Sequence, residues 1–258
     1  MLVCNGDMNI EMINKTFVKE ANAARSHGLW TRTMKNFVDV GAHYGGYTYE
    51  AARRGVENIY SFEASYTNFY LAQQLLNGHN INNYRIFNLA ASDKSGDIAK
   101  LRKITNSGDF QKAESGQYSI IDYKDYQSSS LSSEEYEGCM TISLKDIFRV
   151  CRLDKIDAMK IDIEGSEYNF LMNKDLSRIK TMYIEFHCGP RKNKELCEYL
   201  CTYFDIVNAY TSRNNTLHIS TKDRLVQIGD IDFDKEIHYM SLANKTNEPY
   251  LRAPGSIL

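Results

Sequence analysis

Asp39, Glu63, Asp162, Glu164, Glu185 and His187 each stand at or just past the end of a short apolar run, in NFVDVG, IYSFEA, MKIDIEG and YIEFH. Carboxylates in such places are costly to bury without a partner, a proton or a ligand. Two kinds of chemistry suit them. They accept hydrogen bonds from the hydroxyls of a bound molecule, and an acid or an imidazole such as His187 takes a proton from a reacting group. Plainer roles stay open beside these. Asp39 can hold its own turn, and Asp162 or Glu164 can cap the helix SEYNFL that follows. Glu185 can pair with Lys160 in a neighbouring strand, and His187 can rest on a backbone carbonyl.

The elements that must bring these residues together alternate in type. Short runs rich in β-branched and aromatic residues at 37–40, 59–63, 84–89, 158–163, 181–186, 204–209 and 217–220 read as buried strands. Stretches at 44–54, 67–78, 144–151, 168–172 and 194–203 read as helices. Alternation of this kind predicts an α/β fold, Rossmann-like and doubly wound. Its sheet has seven mostly parallel strands with helices on both faces. The polar TSRNN between the last two candidate strands suits a hairpin, so the final strand is expected to be an antiparallel edge. In such a sheet the ligand sits outside the carboxyl ends of the strands, where all six residues fall.

The glycine pattern narrows the ligand. A strand, a glycine turn at Gly41, a helix, and then Glu63 about 20 residues on is how such sheets hold an adenosine. The carboxylate would accept from both ribose hydroxyls. A dinucleotide site wants G-x-G-x-x-G, but here His43 holds the second glycine position, and glycines fall at Gly41, Gly45 and Gly46. An imidazole there crowds a pyrophosphate, which disfavours a nicotinamide dehydrogenase. It leaves room for S-adenosylmethionine. His43 itself reads as a shaping residue rather than a base.

Five segments in order resemble the FkbM-type methyltransferase family, from about Asn36 to about Ser220. VDVGAHYGGYT looks like its first motif, YSFEAS like the ribose-binding one, and NLAASDKSG like the loop after the third strand. TISLKDIF precedes DAMKIDIEGSEYNFL, the most distinctive piece, and YIEFH closes the fifth strand. His43 and Lys145 depart from the family pattern, which more often has Asn and an acid there. The resemblance implies a class I fold with S-adenosylmethionine as cofactor and S-adenosylhomocysteine as product. Asp39, Gly41, Ala42, His43, Gly45, Thr48, Glu63, Ala64, Ala91 and Asp162 are expected to bind the cofactor. In related enzymes the residue at Asp39 faces the ammonium of the methionine moiety.

Catalysis is expected from His187, Asp162 and Glu164. A sulfonium donor leaves as a neutral thioether, so no acid must assist its departure. Alignment of the acceptor and removal of its proton are the remaining tasks. With His187 as base, the rate should fall at low pH around ~6.5, the value of an unperturbed imidazole. A divalent metal on Asp162, Glu185 and His187 is the other route, but no tight ligand-spacing motif marks it and no metal is expected. The resemblance implies O-methylation of a sugar, a nucleotide-linked sugar, a glycan or a natural product. N-methylation, a phosphorus-linked acceptor, or a catalytically silent binding module are the alternatives.

The 258 residues suffice for one sizeable core. They divide into an N-terminal helical extension (1–35) bearing Trp30 and placed over the cofactor mouth, a methyltransferase domain (36–220), and a tail (221–258) that pairs as a homodimer arm or packs on the core. Within the domain, 98–139 is a Ser/Tyr-rich insertion, too long for a plain connection, with a lid and a surface insertion as its two readings. A net charge of −2 provides no drive toward nucleic acid, and none is expected as a partner. No apolar run reaches the ~20 residues of a membrane span, and the N-terminus has no secretory pattern. Six cysteines form no CxxC pair, and reduced thiols in a cytoplasmic protein are expected. Cys197 and Cys201 are expected to share one core-facing side of a helix.

Overall fold

The computed structural model describes residues 10–26, 29–30, 33–103, 118–119, 137–211, 231 and 237–244. Its centre is a sheet whose parallel strands are β1 (Asn36–Val40), β2 (Asn58–Phe62), β3 (Tyr84–Phe87), β8 (Ile156–Ile161) and β9 (Ile179–Glu185). Two more, β10 (Phe204–Thr211) and β11 (Ile237–Asn244), complete the order β10-β11-β9-β8-β1-β2-β3. The order runs outward from β1 on both sides, so a crevice opens where β1 and β8 separate at their carboxyl ends.

Helices cover both faces, as the alternation predicts. On one face Val38, Val40, Met159, Ile161 and Ile184 pack with residues of α4 (Leu144–Cys151), α5 (Glu167–Leu171) and α6 (Pro190–Leu200). On the other, Phe37, Ile59, Ala158 and Tyr183 pack with α1 (Ile10–Ser26) and α2 (Gly46–Arg53). Between α2 and α3 (Tyr66–Gly78), Phe17 and Ile13 of α1 meet Tyr44 and Leu76. The helix starts follow local chemistry. Ser65 and Ser143 accept from the amides of Asn68 and Asp146, while Pro190 opens α6 four residues earlier than its apolar spacing suggests.

The outer strands differ from expectation. The antiparallel strand is β11, one place in from the edge between β9 and β10, and it comes from 237–244. Met240 and Leu242 are fully buried, so this strand needs neighbours on both sides, and β10 takes the edge. The sheet therefore extends beyond position 220 into what the sequence reads as a tail. The candidate strand 217–220 lies outside the described residues. In the 98–139 segment, β5 (Ile98–Lys103), β6 (Tyr118–Ser119) and β7 (Glu137–Ile142) join β4 (Ala90–Ala91) in a second, four-stranded sheet. Positions 104–117 and 120–136 lie outside the described residues. Trp30 packs at a tilt against Phe37 at the opposite end of β1 from the crevice, with ring centroids 5.2 Å apart.

Candidate functional site

Strand register explains how the site is assembled. Asp39 on β1 pairs with Lys160 on β8, and Lys160 with Tyr183 on β9. These three side chains form a row on the α2 face of the sheet. Two residues further on, Gly41, Asp162 and Glu185 continue the same alternation at the crevice.

Lys160 is the hub. Its ammonium donates to the carbonyl of Gly41 and lies 3.8 Å from Asp39 Oδ1 and 3.5 Å from Asp162 Oδ2. It also sits 5.3 Å above the ring of Tyr47. Burial works against its charge, but Asp162 and Asp39 outweigh that and hold its pKa above the ordinary lysine value. Burial raises Asp39 to about 6, despite Lys160 and a 2.8 Å hydrogen bond from Thr48 Oγ1. Burial also opposes ionisation of Asp162, yet Lys160 brings its pKa below the ordinary value. The alternative pairing of Glu185 with Lys160 gives way to these two acids, because they flank the lysine across and along the strands. Glu185 instead accepts from the Tyr183 hydroxyl at 3.1 Å, and burial with the nearby Asp162 charge pushes it to about 8.

The glycine turn is tightly built. Gly41 has φ +77°, and a Cβ there would fall 1.7 Å from the Asp162 carbonyl oxygen. The amides of Gly41 and Ala42 both donate to the Phe62 carbonyl, tying the turn to β2. His43, at φ +50°, donates its amide to Glu63 Oε2 at 2.7 Å. Its ring is paired through Nδ1 with Glu20 of α1, which brings that helix against the glycine turn. Gly45 caps α2 in a left-handed conformation. At Gly46 a Cβ would meet Glu20 Cβ at 2.4 Å, and this close approach brings α1 against α2.

Thr48 is fully buried behind Asp39, with its hydroxyl shared between Asp39 and Ser61. Glu63 is nearly buried and accepts from the Ser65 amide at 2.9 Å as well as from His43. Asn68 Nδ2 also donates to Oε1 at 3.5 Å, and Oε2 keeps a second lone pair for a ribose hydroxyl. Burial raises its pKa despite His43 and the two amides. Ala64 packs beside Ala90, Leu101 and Cys139, and Ala91 is buried on β4. Besides Ser166 Oγ, three side-chain atoms among the described residues are sealed from solvent without a hydrogen-bond partner: Asp39 Oδ1, His43 Nε2 and Asp162 Oδ1. Buried polar atoms are rarely left so, and these three surround the Gly41 turn. They suit a polar ligand there, which is the fit that S-adenosylmethionine requires.

Past β8, the loop carries Glu164 at φ +51°, a left-handed conformation unusual for a side chain of this size. That turn aims Glu164 at His187, with Oε2 3.8 Å from Nε2. Glu185 Oε2 lies 4.0 Å from the same nitrogen. On the other side of the ring, Nδ1 lies 2.9 Å from Glu167 Oε1. Burial disfavours the imidazolium, but Glu164 and Glu167 overcome it, so the pKa of His187 stands well above 6.5. The low-pH limb expected near ~6.5 therefore moves upward. Burial raises Glu164 to about 7 against the pull of His187.

The structure thus brings Asp162, Glu164 and His187 together. It does not use Asp162 as a cap for α5, because Glu167 takes the amides of Gly165 and Ile163. Donor atoms of Asp162, Glu185 and His187 lie within 4.8 Å of one another, near enough to share a cation. Lys160 already supplies positive charge 3.5 Å from Asp162. Lys160 as hub, Glu167 and Glu20 are additions to the residues expected from sequence. A lysine inside the apolar run of β8 was a signal for the first, and only the fold reveals the other two.

The family model described as Methyltransferase FkbM domain matches residues 39–215. No curated protein sequence matches. Among solved structures, M. capricolum TrmK bound to S-adenosylhomocysteine is 8% identical with a TM-score of 0.46, covering 88% of this chain and 68% of that one. An rRNA methylase from Streptococcus thermophilus is 12% identical with a TM-score of 0.44, covering 90% and 95%. A ribosomal protein L11 methylase from Lactobacillus delbrueckii subsp. bulgaricus is 11% identical with a TM-score of 0.44, covering 89% and 79%. At these scores none bears on acceptor or mechanism. No helix among the described residues is long and apolar enough to cross a membrane.

Proposed function

The chain belongs to the FkbM methyltransferase domain family and uses S-adenosylmethionine, and on that premise we propose that it methylates a hydroxyl. The acceptor class we favour is a sugar, a nucleotide-linked sugar, a glycan or a natural product. When bound, the cofactor supplies an activated methyl group and leaves as a neutral thioether. Glu63 would hold the ribose, and Asp39 with the Gly41–Gly45 turn would hold the methionine end. The unpartnered Asp39 Oδ1 and His43 Nε2 support that placement.

The observation that carries the hydroxyl reading is the imidazole of His187 at the crevice, with one nitrogen engaged by Glu167 and the other turned toward Glu164 and Glu185. A positioned base of this kind contributes ~10²–10⁴-fold to proton removal. The O–H bond breaks to form Nε2–H, and the oxygen keeps the electron pair that bonds the methyl carbon. Glu164 and Asp162 stabilise the imidazolium that results. No metal is required, since Lys160 supplies positive charge 3.5 Å from Asp162. Labelled S-adenosylmethionine offered with panels of sugars, nucleotide sugars, glycans and polyamines tests the reading. Label on an oxygen, undiminished by EDTA, supports it. Label only on nitrogen overturns the hydroxyl reading, and loss with EDTA that Mg²⁺ or Mn²⁺ restores overturns the metal-free one.

A further inference from the structure

Glu167 opens α5 with no exposed surface, yet its neighbours hold its carboxyl below the ordinary pKa of a glutamate. Burial alone would push its proton on, but four nearby donors, His187 foremost, reverse that. They are the Gly165 amide at 3.1 Å to both oxygens, the Ile163 amide at 3.4 Å, Cys188 Sγ at 3.1 Å and His187 Nδ1 at 2.9 Å. An ionised carboxylate can only accept, so Nδ1 of the ring must carry the proton. Nε2 is then the nitrogen left to face the crevice.

We propose that Glu167 is a positioning residue for proton removal: it fixes His187 with Nδ1–H held and Nε2 presented, as the third member of a Glu–His–acceptor line. The inference rests on the hydroxyl reading above for its purpose, though the dyad itself is a property of the chain. Orienting a base through its far nitrogen is a general device of such sites. The amides of Gly165 and Ile163 brace the carboxylate from the loop, so its position does not depend on the ring. The charged and titratable groups around the ring are Glu164, Glu167, Asp162, Glu185, Lys160 and Cys188.

Long-range ¹H–¹⁵N spectra of the labelled full chain, with and without S-adenosylhomocysteine, test this directly. His187→Gln assigns the ring signals among the six histidines. The wild type should show Nδ1–H with Nε2 as the titrating nitrogen, and a pKa above ~6.5. Glu167→Gln should lower that pKa by ~1–3 units, the effect of losing an adjacent opposite charge, and populate the Nε2–H tautomer. S-adenosylhomocysteine affinity should stay within about twofold, because Glu167 lies outside the expected cofactor contacts. An Nε2–H tautomer in the wild type, or an unchanged pKa and tautomer in Glu167→Gln, overturns the proposal. Should Glu167→Gln not fold, the wild-type tautomer and the spectrum of Glu167→Asp decide it. Absence of S-adenosylhomocysteine binding to the wild type would instead count against the functional reading and leave the dyad to the spectra.

Discussion

Lys160→Met replaces the ammonium at the hub by an unbranched apolar chain of similar length. It leaves Asp39 without its cation in a site with no solvent access. Asp39 already stands at about 6 instead of its ordinary 3.8, with Lys160 holding it down. Without that cation its pKa rises further, because only the Thr48 hydrogen bond then opposes burial. The sign follows from linkage. A carboxyl whose folded pKa exceeds its unfolded one binds protons more tightly in the folded state, so it contributes less stability as pH rises. Between pH 6 and the variant's new pKa, the wild type ionises Asp39 and the variant does not. The stability gap should therefore widen by about 1.4 kcal/mol per pH unit, reaching about 3 kcal/mol at pH 8 on top of a pH-independent part. The loss of the hydrogen bond to Gly41 supplies that part, about 1–2 kcal/mol. Glu164 and Glu185 are also held down by Lys160 and move in the same direction. Urea unfolding of both proteins at pH 6, 7 and 8 measures the gap. A gap that stays flat across that range refutes the claim that Lys160 is the buried counter-charge of Asp39.

Three further outcomes follow from the same geometry. Glu63→Ala should weaken S-adenosylhomocysteine by about 1–3 kcal/mol, and it should also lower stability, since the His43 and Ser65 amides lose their acceptor; calorimetry and thermal melts on one sample check both. Gly41→Ala should lose binding and destabilise the fold by several kcal/mol, because the added Cβ meets the backbone of Asp162 and must part β1 from β8; near-normal urea unfolding would mean that the turn is looser than it stands. With an acceptor in hand, the rate should rise with pH through a limb above ~6.5, and His187→Ala should remove that limb while leaving cofactor affinity intact, as a pH–rate profile will report.

The sequence made the parallel sheet legible because buried strands in this chain are short apolar runs that end in acids. Strand ends were right to within two or three residues for β1, β2, β8 and β9, and with them the convergence of Asp39, Glu63, Asp162, Glu164 and His187 on one rim. The order of the outer strands was not legible. Strand β11 lies in a stretch whose composition resembles a tail, and only its pairing with β9 marks it as part of the sheet. Which acids flank Lys160 depends on register across parallel strands, which periodicity does not encode. Glu167 stands at the start of α5. Its second role depends on His187, twenty residues away, being folded back over it.

Titration calorimetry of the purified full chain with S-adenosylhomocysteine, repeated in the presence of NAD⁺, tests the central claim most directly. The account predicts one site per chain at about micromolar affinity, indifferent to NAD⁺ and weakened in Glu63→Ala. No measurable binding of S-adenosylhomocysteine, or its displacement by NAD⁺, would contradict it.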